Sequence, residues 1–340
     1  MLKFSFLVPV YNGSKFLKRL FGSLLEQDLP YEEYEIVCVD DCSSDNSVDL
    51  IREYQKSYPN IRLLINEKNS RVATNVNKLV DAAEGKYFWL LGQDDYIETN
   101  SLGMLWERME TDQLEVLLFN YFKEDEEGTL LDDFKVFNSS EKMSGLDFIR
   151  TQFVDWDYCL FLLGLEWRGV YKTGYWRGKG IRCVEGMNYE DTVILLKAIV
   201  YSSAVASIDN YLYHYRVNAN SITYNDNFRK KGELIYEFAF VVGEEVEEFY
   251  NEFVIIDPTL ANNLLRHLKN RYNNFTFDLI RTPKEYKKGF YKKVSENQAF
   301  VDSKKHWLQR DAKLMLLPYL GFPISRVCEW VYRIKKRLFD

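Results

Sequence analysis

Cysteine is scarce in this chain, and none of the five (Cys38, Cys42, Cys159, Cys183, Cys328) forms a CxxC pair. That spacing offers no ligand set for a structural zinc and no disulfide framework, and it suits reduced thiols in a reducing compartment. Positive charge is also short. Against 51 Asp and Glu stand 44 Lys and Arg, a net charge of −7, which excludes a general nucleic-acid binder. No apolar run reaches the roughly 18 residues that a spanning helix needs. The opening "FSFLVPV" is too short for the apolar region and cleavage site of a signal peptide, so a cytoplasmic location is expected. No GxGxxG follows the first apolar run and no Walker lysine motif occurs, which removes dinucleotide and P-loop readings.

Aromatic residues, in contrast, are plentiful: 24 Tyr and 23 Phe within a 46% hydrophobic composition. These suit a large core and also sugar-binding clefts. The first hundred residues alternate between two periods. Apolar runs at "FSFLVPV", "EIVCVDD", "IRLLINE" and "KYFWLLGQDD" read as strands. Between them, "GSKFLKRLFGSLLEQ", "SSDNSVDLIREYQKSY" and "TNVNKLVDAAEG" read as helices. Strands separated by helices of this length imply βαβ units and a parallel sheet. Ligands of such sheets sit at the carboxyl ends of the strands. Asn12, Asp40 with Asp41, and Asp94 with Asp95 all fall there. Either pair alone could be a loop or capping carboxylate. Two pairs of mutually repelling charges at two strand ends ask for a cation or a polar ligand.

"FLVPVYNGSKFLKRLFGSLLEQ", "EIVCVDDCSSDNSVDLI" and "AEGKYFWLLGQDD" resemble the opening motifs of family 2 glycosyltransferases, close to V-P-x-Y-N, V-D-D-G-S-x-D and L-D-x-D-D. The resemblance implies an α/β chain: a single Rossmann-like nucleotide-diphospho-sugar transferase (GT-A) fold with a mostly parallel central sheet and a C-terminal helical extension. It divides the chain into a nucleotide-sugar half (1–105), an acceptor half of the same domain (106–227) and the extension (228–340). It implies Mn2+ or Mg2+ as cofactor, with Asp95 as the metal ligand and Asp94 facing the donor ribose or sugar. Asp41 would hydrogen-bond the base in a pocket shaped by Pro9, Tyr11 and Asn12. Asp40 is a weaker donor contact, and Asp45 either joins it or caps the following helix. Two departures stand out. Gly92 replaces the first carboxylate of the DxD motif. In "NSRVATNVN", Arg71 replaces a usual Gly and Val76 a usual Arg, which leaves Arg71 and Asn77 as candidate donor contacts.

"LEVLLFNYFKEDEEGTLLDDFKVF" reads as two strands around an acidic turn at Glu124 to Thr129. Further on, Glu190 and Asp191 open a helical pattern, where acids complement the dipole. The family resemblance instead makes Asp191 the general base and Glu190 the acceptor-orienting acid. Trp156, Trp167, Tyr171 and Trp176 are either core or sugar-stacking, with Trp167 the preferred acceptor contact. In "YLYHYRVNANSIT", Arg216 is a candidate diphosphate contact, and His214 is either structural or a further metal ligand.

The expected activity is therefore an inverting transfer from a nucleotide-diphosphate donor, a UDP-sugar by preference, to a glycan or lipid-linked hydroxyl in surface polysaccharide synthesis. The alternatives are a nucleotidyltransferase or a non-catalytic glycan- or nucleotide-binding relative. "ISRVCEWVYRIKKRLFD" places basic residues beside an apolar helical face. It either contacts the inner face of the membrane peripherally or docks on protein, the same domain or a second copy in a homodimer.

Overall fold

A computed structural model describes residues 2–152, 166–186, 193–218, 232–282 and 284–316. The chain divides into two units, Met1–Ala219 and Asn220–Asp340.

The first unit is built on one nine-stranded sheet. Its strands are β1 (Phe4–Val10), β2 (Tyr34–Asp40), β3 (Ile61–Ile65), β4 (Tyr87–Leu90), β5 (Tyr96–Ile97), β6 (Val116–Glu124), β7 (Leu130–Phe134), β8 (Gly169–Lys172) and β9 (Val205–Arg216). They lie in the order β3-β2-β1-β4-β8-β6-β9-β5, with β7 hairpinned onto β6. The pairs β3–β2, β2–β1 and β1–β4 are parallel, and β6–β9 is parallel again. The short β8 runs antiparallel between β4 and β6. Strand β2 is buried along its whole length and β1 nearly so. Burial on both faces explains why their sequences are continuous apolar runs without alternation.

Helices α1 (Ser14–Leu25), α2 (Ser47–Ser57) and α3 (Val72–Ala82) make the crossovers between the parallel strands. Their apolar faces, such as Phe16, Leu17, Leu20, Phe21 and Leu24 of α1, pack toward the sheet. Tyr34, Tyr87, Trp89, Phe119 and Tyr213 fill the same core. Residues 125–129 are the acidic tip of the β6–β7 hairpin, whereas Glu124, read from the sequence as part of that turn, is the buried last residue of β6 and is hydrogen-bonded to Tyr96 and His214.

The second unit is helical in its described residues. A run from Gly232–Tyr236 passes through a π-helical stretch, Glu237–Val241, into Val242–Ile256. Pro258–Arg281 follows, with Pro258 in its first turn and the Asp257 carboxylate capping Leu260 N–H at 2.9 Å. Phe240, Phe249, Phe253, Tyr272, Phe275 and Phe290 form its core. Lys304 bridges Glu244 and Glu247 at 3.2 and 3.0 Å, and Tyr272 donates to Glu247 at 2.6 Å. No helix among the described residues is long and apolar enough to cross a membrane.

Candidate active site

The carboxyl ends of β1, β2 and β4 bring three polar loops together. Each of β1, β2 and β3 is followed by a non-glycine residue in the left-handed region: Asn12 (φ 48°), Cys42 (φ 63°) and Arg71 (φ 69°). Asparagine tolerates this conformation, whereas cysteine and arginine pay for it. Three of the five non-glycine residues with positive φ among the described residues follow these strands, the other two being Asn100 and Gln113, and strain of this kind often accompanies a functional rim.

These loops are stitched by side chains. Asn12 accepts from Ser44 N–H at 2.8 Å, and its own N–H donates to Ser43 Oγ at 2.9 Å. Asp45 accepts from Ser14 N–H at 3.0 Å and from Ser47 Oγ at 2.5 Å, so it caps α1 as well as bracing the start of α2. Burial works against its charge, but the Ser47 and Ser14 hydrogen bonds prevail and hold it below the ordinary carboxylate value. Asp41 is buried. One oxygen accepts from Asn66 Nδ2 at 2.8 Å and Ser70 N–H at 2.7 Å, the other from Arg71 N–H at 2.9 Å. It therefore orders the 66–71 loop and stabilises the strained Arg71 peptide. Asp40, also buried, accepts from Ser43 N–H at 3.0 Å, and its other oxygen has no hydrogen-bond partner among the described residues. Pro9 lies within β1 opposite Val39, and Tyr11 is half exposed at the rim.

Asp94 and Asp95 end the loop after β4. Asp95 is buried, and both of its oxygens are held by β9: Tyr213 OH donates to Oδ2 at 2.6 Å and Arg216 N–H to Oδ1 at 2.8 Å. Asp94 is less buried and accepts from Asn218 Nδ2 at 3.2 Å. Burial pushes both carboxyls above the ordinary range, and Asp95, which also faces the charge of Asp94, is pushed further. Gln93 acts as a clamp. Its Oε1 accepts from Tyr11 N–H at 2.9 Å and its Nε2 donates to Tyr11 O at 3.0 Å, tying the loop after β4 to the end of β1.

Of the other sequence candidates, Arg216 touches this cluster through its N–H on Asp95, and the rest make no hydrogen bond to the carboxylate pair among the described residues. His214 points to the β5 side, between Glu124 Oε1 and Glu98 Oε1, each 2.8 Å from a ring nitrogen, and stacks on Tyr96 at 4.1 Å. Both ring nitrogens are thus engaged by carboxylates, which suits the structural role of the two read from the sequence. The Asn77 amide is committed to Cys183, whose C=O and N–H it meets at 2.9 Å each, so it anchors the 181–186 segment. The Arg216 guanidinium contacts Glu126 O and lies 5.6 Å from the Phe16 ring centroid. Trp167 is partly buried, stacked on Tyr213 at 4.2 Å and on Tyr215 at 5.6 Å, while Tyr171 and Trp176 are core. Trp156, Glu190 and Asp191 fall outside the described residues, as does the 324–340 stretch.

The donor atoms fit a hard divalent cation. They are oxygens only, and a positive charge beside Asp94 and Asp95 would favour the ionised forms that burial opposes. Among the described residues no three His, Cys, Asp or Glu side chains converge on one point. The pair would thus supply one or two protein ligands, the pattern of Mg2+ held jointly with substrate phosphates. Sequence reasoning missed Gln93 and Tyr213. For Tyr213 a partial signal existed: period-two alternation puts residues 213 and 215 on one face, where both stack on Trp167, but it also puts Tyr211 there, and an irregularity in the β6–β9 pairing turns Tyr211 to Phe122 on the other face.

Residues 5–161 match the family described as "Glycosyl transferase family 2". The chain is 36% identical over 102 residues to the poly(ribitol-phosphate) beta-glucosyltransferase of Bacillus spizizenii, covering 30% of this chain and 16% of that protein. It is 25% identical over 285 residues to the poly(ribitol-phosphate) beta-N-acetylglucosaminyltransferase TarS of Staphylococcus aureus, covering 81% of this chain and 46% of that one. The chain therefore spans less than half the length of either relative. A crystal structure of S. aureus TarS residues 1–349 in complex with UDP-GlcNAc superposes with a TM-score of 0.63 at 20% identity, over 98% of this chain and 92% of that one, and shares its fold.

Proposed function

We propose that the chain is an inverting glycosyltransferase of family 2, the family whose model its residues 5–161 match. It would move one sugar from a UDP-sugar to a hydroxyl of a glycan or lipid-linked acceptor in surface polysaccharide synthesis. The observation that carries this reading is the set of carboxylates at the carboxyl ends of the two parallel strands that flank β1: Asp40 as the last residue of β2 with Asp41 after it, and Asp94 and Asp95 in the loop after β4. The poly(ribitol-phosphate) glycosyltransferases among the relatives support the substrate class.

In this reading Pro9, Tyr11, Asn12 and Asp41 border the base, with Asp40 and Arg71 as further donor contacts. Asp94 faces the ribose or donor sugar, and Asp95 would hold Mn2+ or Mg2+. When bound, the ion would supply positive charge against the departing diphosphate. Arg216 adds charge from β9. Trp167 borders the acceptor, and Glu190 orients it. The acceptor oxygen bonds to the anomeric carbon, its proton passes to Asp191, and the bond to the nucleoside diphosphate breaks. One base and one displacement give inversion. The enzyme works at the cytoplasmic side, with the basic apolar 324–340 stretch on the inner face of the membrane.

A panel of UDP-, GDP- and dTDP-sugars, screened for Mn2+-dependent thermal stabilisation and then for nucleotide release, tests the donor assignment. Metal-dependent stabilisation by a UDP-sugar is expected. Asp191→Asn should keep donor affinity and lower turnover about 100-fold. Full turnover in that variant would move the base elsewhere.

A further inference from the structure

We propose that Tyr213 is the positioning residue for the donor-site carboxylate, setting Asp95 from β9 rather than from its own strand; this rests on the reading of Asp95 as the metal ligand. One phenol oxygen makes two bonds. It donates to Asp95 Oδ2 at 2.6 Å and accepts from Gly92 N–H at 3.0 Å. Arg216 N–H, three residues along the same strand, takes Oδ1 at 2.8 Å. Both oxygens are thereby fixed by β9, and an ionised carboxylate offers about four acceptor positions, so lone pairs remain for a cation. The loop carrying Asp95 is short and tied on its other side by the Gln93 clamp to Tyr11.

The ring of Tyr213 does not depend on this hydroxyl for its place. It is fully buried, stacked on Trp167 at 4.2 Å and packed 6.5 Å from Trp89. The hydroxyl is thus separable from the packing, and it lands on one member of the carboxylate pair. Gly92 belongs to the same junction: a Cβ added there would lie 2.5 Å from Asp95 Oδ2 and 3.3 Å from Asp94 Oδ1. Only glycine lets the loop backbone approach the oxygen that Tyr213 holds. The departure from the usual Asp at this position therefore has a steric meaning as well as an electrostatic one. The outer partners of metal ligands typically govern affinity about 10- to 100-fold, which is the effect assigned to this hydroxyl.

The test is Tyr213→Phe in the full chain, with Mn2+ and UDP as probes. Titration calorimetry measures UDP affinity in EDTA and in Mn2+, and electron paramagnetic resonance counts free Mn2+. Wild type should bind UDP more tightly with Mn2+, and Asp95→Asn should lose that gain. Tyr213→Phe should weaken the Mn2+-dependent affinity about 10-fold or more while UDP binding in EDTA stays at the wild-type value. A purely packing role would leave the metal dependence untouched. Fluorotyrosine at position 213 keeps the ring and changes only the acidity of the hydroxyl; a changed Mn2+-dependent UDP affinity with unchanged binding in EDTA is expected, and it decides the question if Tyr213→Phe does not fold. Wild-type metal dependence in either folded variant overturns the proposal for Tyr213 while leaving Asp95 in place. Absence of any metal dependence in wild type overturns the metal reading itself, and this proposal with it.

Discussion

Asp94 and Asp95 sit where ionisation is opposed by burial, and at Asp95 also by the neighbouring charge. Their folded values lie above the unfolded ones, so folding favours the protonated forms. The stability they contribute is present at low pH and lost as pH rises through the raised values. Asp94→Asn should therefore stabilise the metal-free protein at neutral pH by roughly 1–4 kcal/mol, the range for two like charges about 4 Å apart between bulk water and a partly buried protein site. Urea unfolding in EDTA from pH 5 to pH 8 checks this. The gap between variant and wild type should widen with pH and close when Mn2+ is added; a constant gap would remove the charge explanation. Arg71 makes a second prediction at this scale. Its φ of 69° and ψ of 163° lie in a region nearly reserved for glycine. Arg71→Gly should raise the melting temperature, the relief of about 1–3 kcal/mol of strain exceeding glycine's entropy cost. Arg71→Ala keeps the strain and should not raise it. If the guanidinium contacts the donor, both variants weaken UDP-sugar binding, and calorimetry on the pair separates strain from contact.

Elements were readable where one physical demand dominated. "FSFLVPV" coincides with β1 because a strand buried on both faces needs an unbroken apolar run. Residues 125–129 of the acidic stretch became a hairpin tip for the opposite reason, while Glu124 before them is buried at the end of β6. Order in the sheet was not readable: nothing local in Gly169–Lys172 says that it inserts antiparallel between β4 and β6. The carboxylates of the site were visible because they sit at or shortly after strand ends: Asp40 ends β2, Asp41 follows it, and Asp94 and Asp95 close the short loop after β4, which stops at Leu90. The residues that hold them were not, since Tyr213 reaches Asp95 across 118 positions and Gln93 reaches Tyr11 across 82. Asn77 shows how a motif residue can be seen and its role not. Its amide takes the N–H and C=O of Cys183, linking α3 to the segment that leads toward residue 191. Asn77→Ala should cost about 1–3 kcal/mol through the buried groups left unpaired and leave donor affinity unchanged. A donor dissociation constant that rises while the melting temperature holds would instead make Asn77 a donor contact.

At the scale of the whole molecule, the helical second unit and the basic 324–340 stretch raise the question of where the protein works. That stretch holds five Lys and Arg against Glu329 and Asp340. At roughly 1 kcal/mol per basic residue near an anionic surface, binding would be reversible and should weaken above about 0.15 M salt. Sedimentation with anionic vesicles, comparing the full chain with one ending at residue 323, checks this. Salt-sensitive binding lost on deletion supports the membrane reading; a lower melting temperature with unchanged partitioning assigns the stretch to protein packing. The central claim is transfer from a nucleotide sugar at the strand-end carboxylates, and nucleotide release tests it most directly. With a panel of UDP-sugars and Mn2+, at least one should yield UDP at a rate that falls to background in EDTA and in Asp95→Asn, while both proteins remain folded. A folded wild-type protein that releases no nucleotide from any UDP-, GDP- or dTDP-sugar, with or without glycan and lipid-linked acceptors, would contradict it.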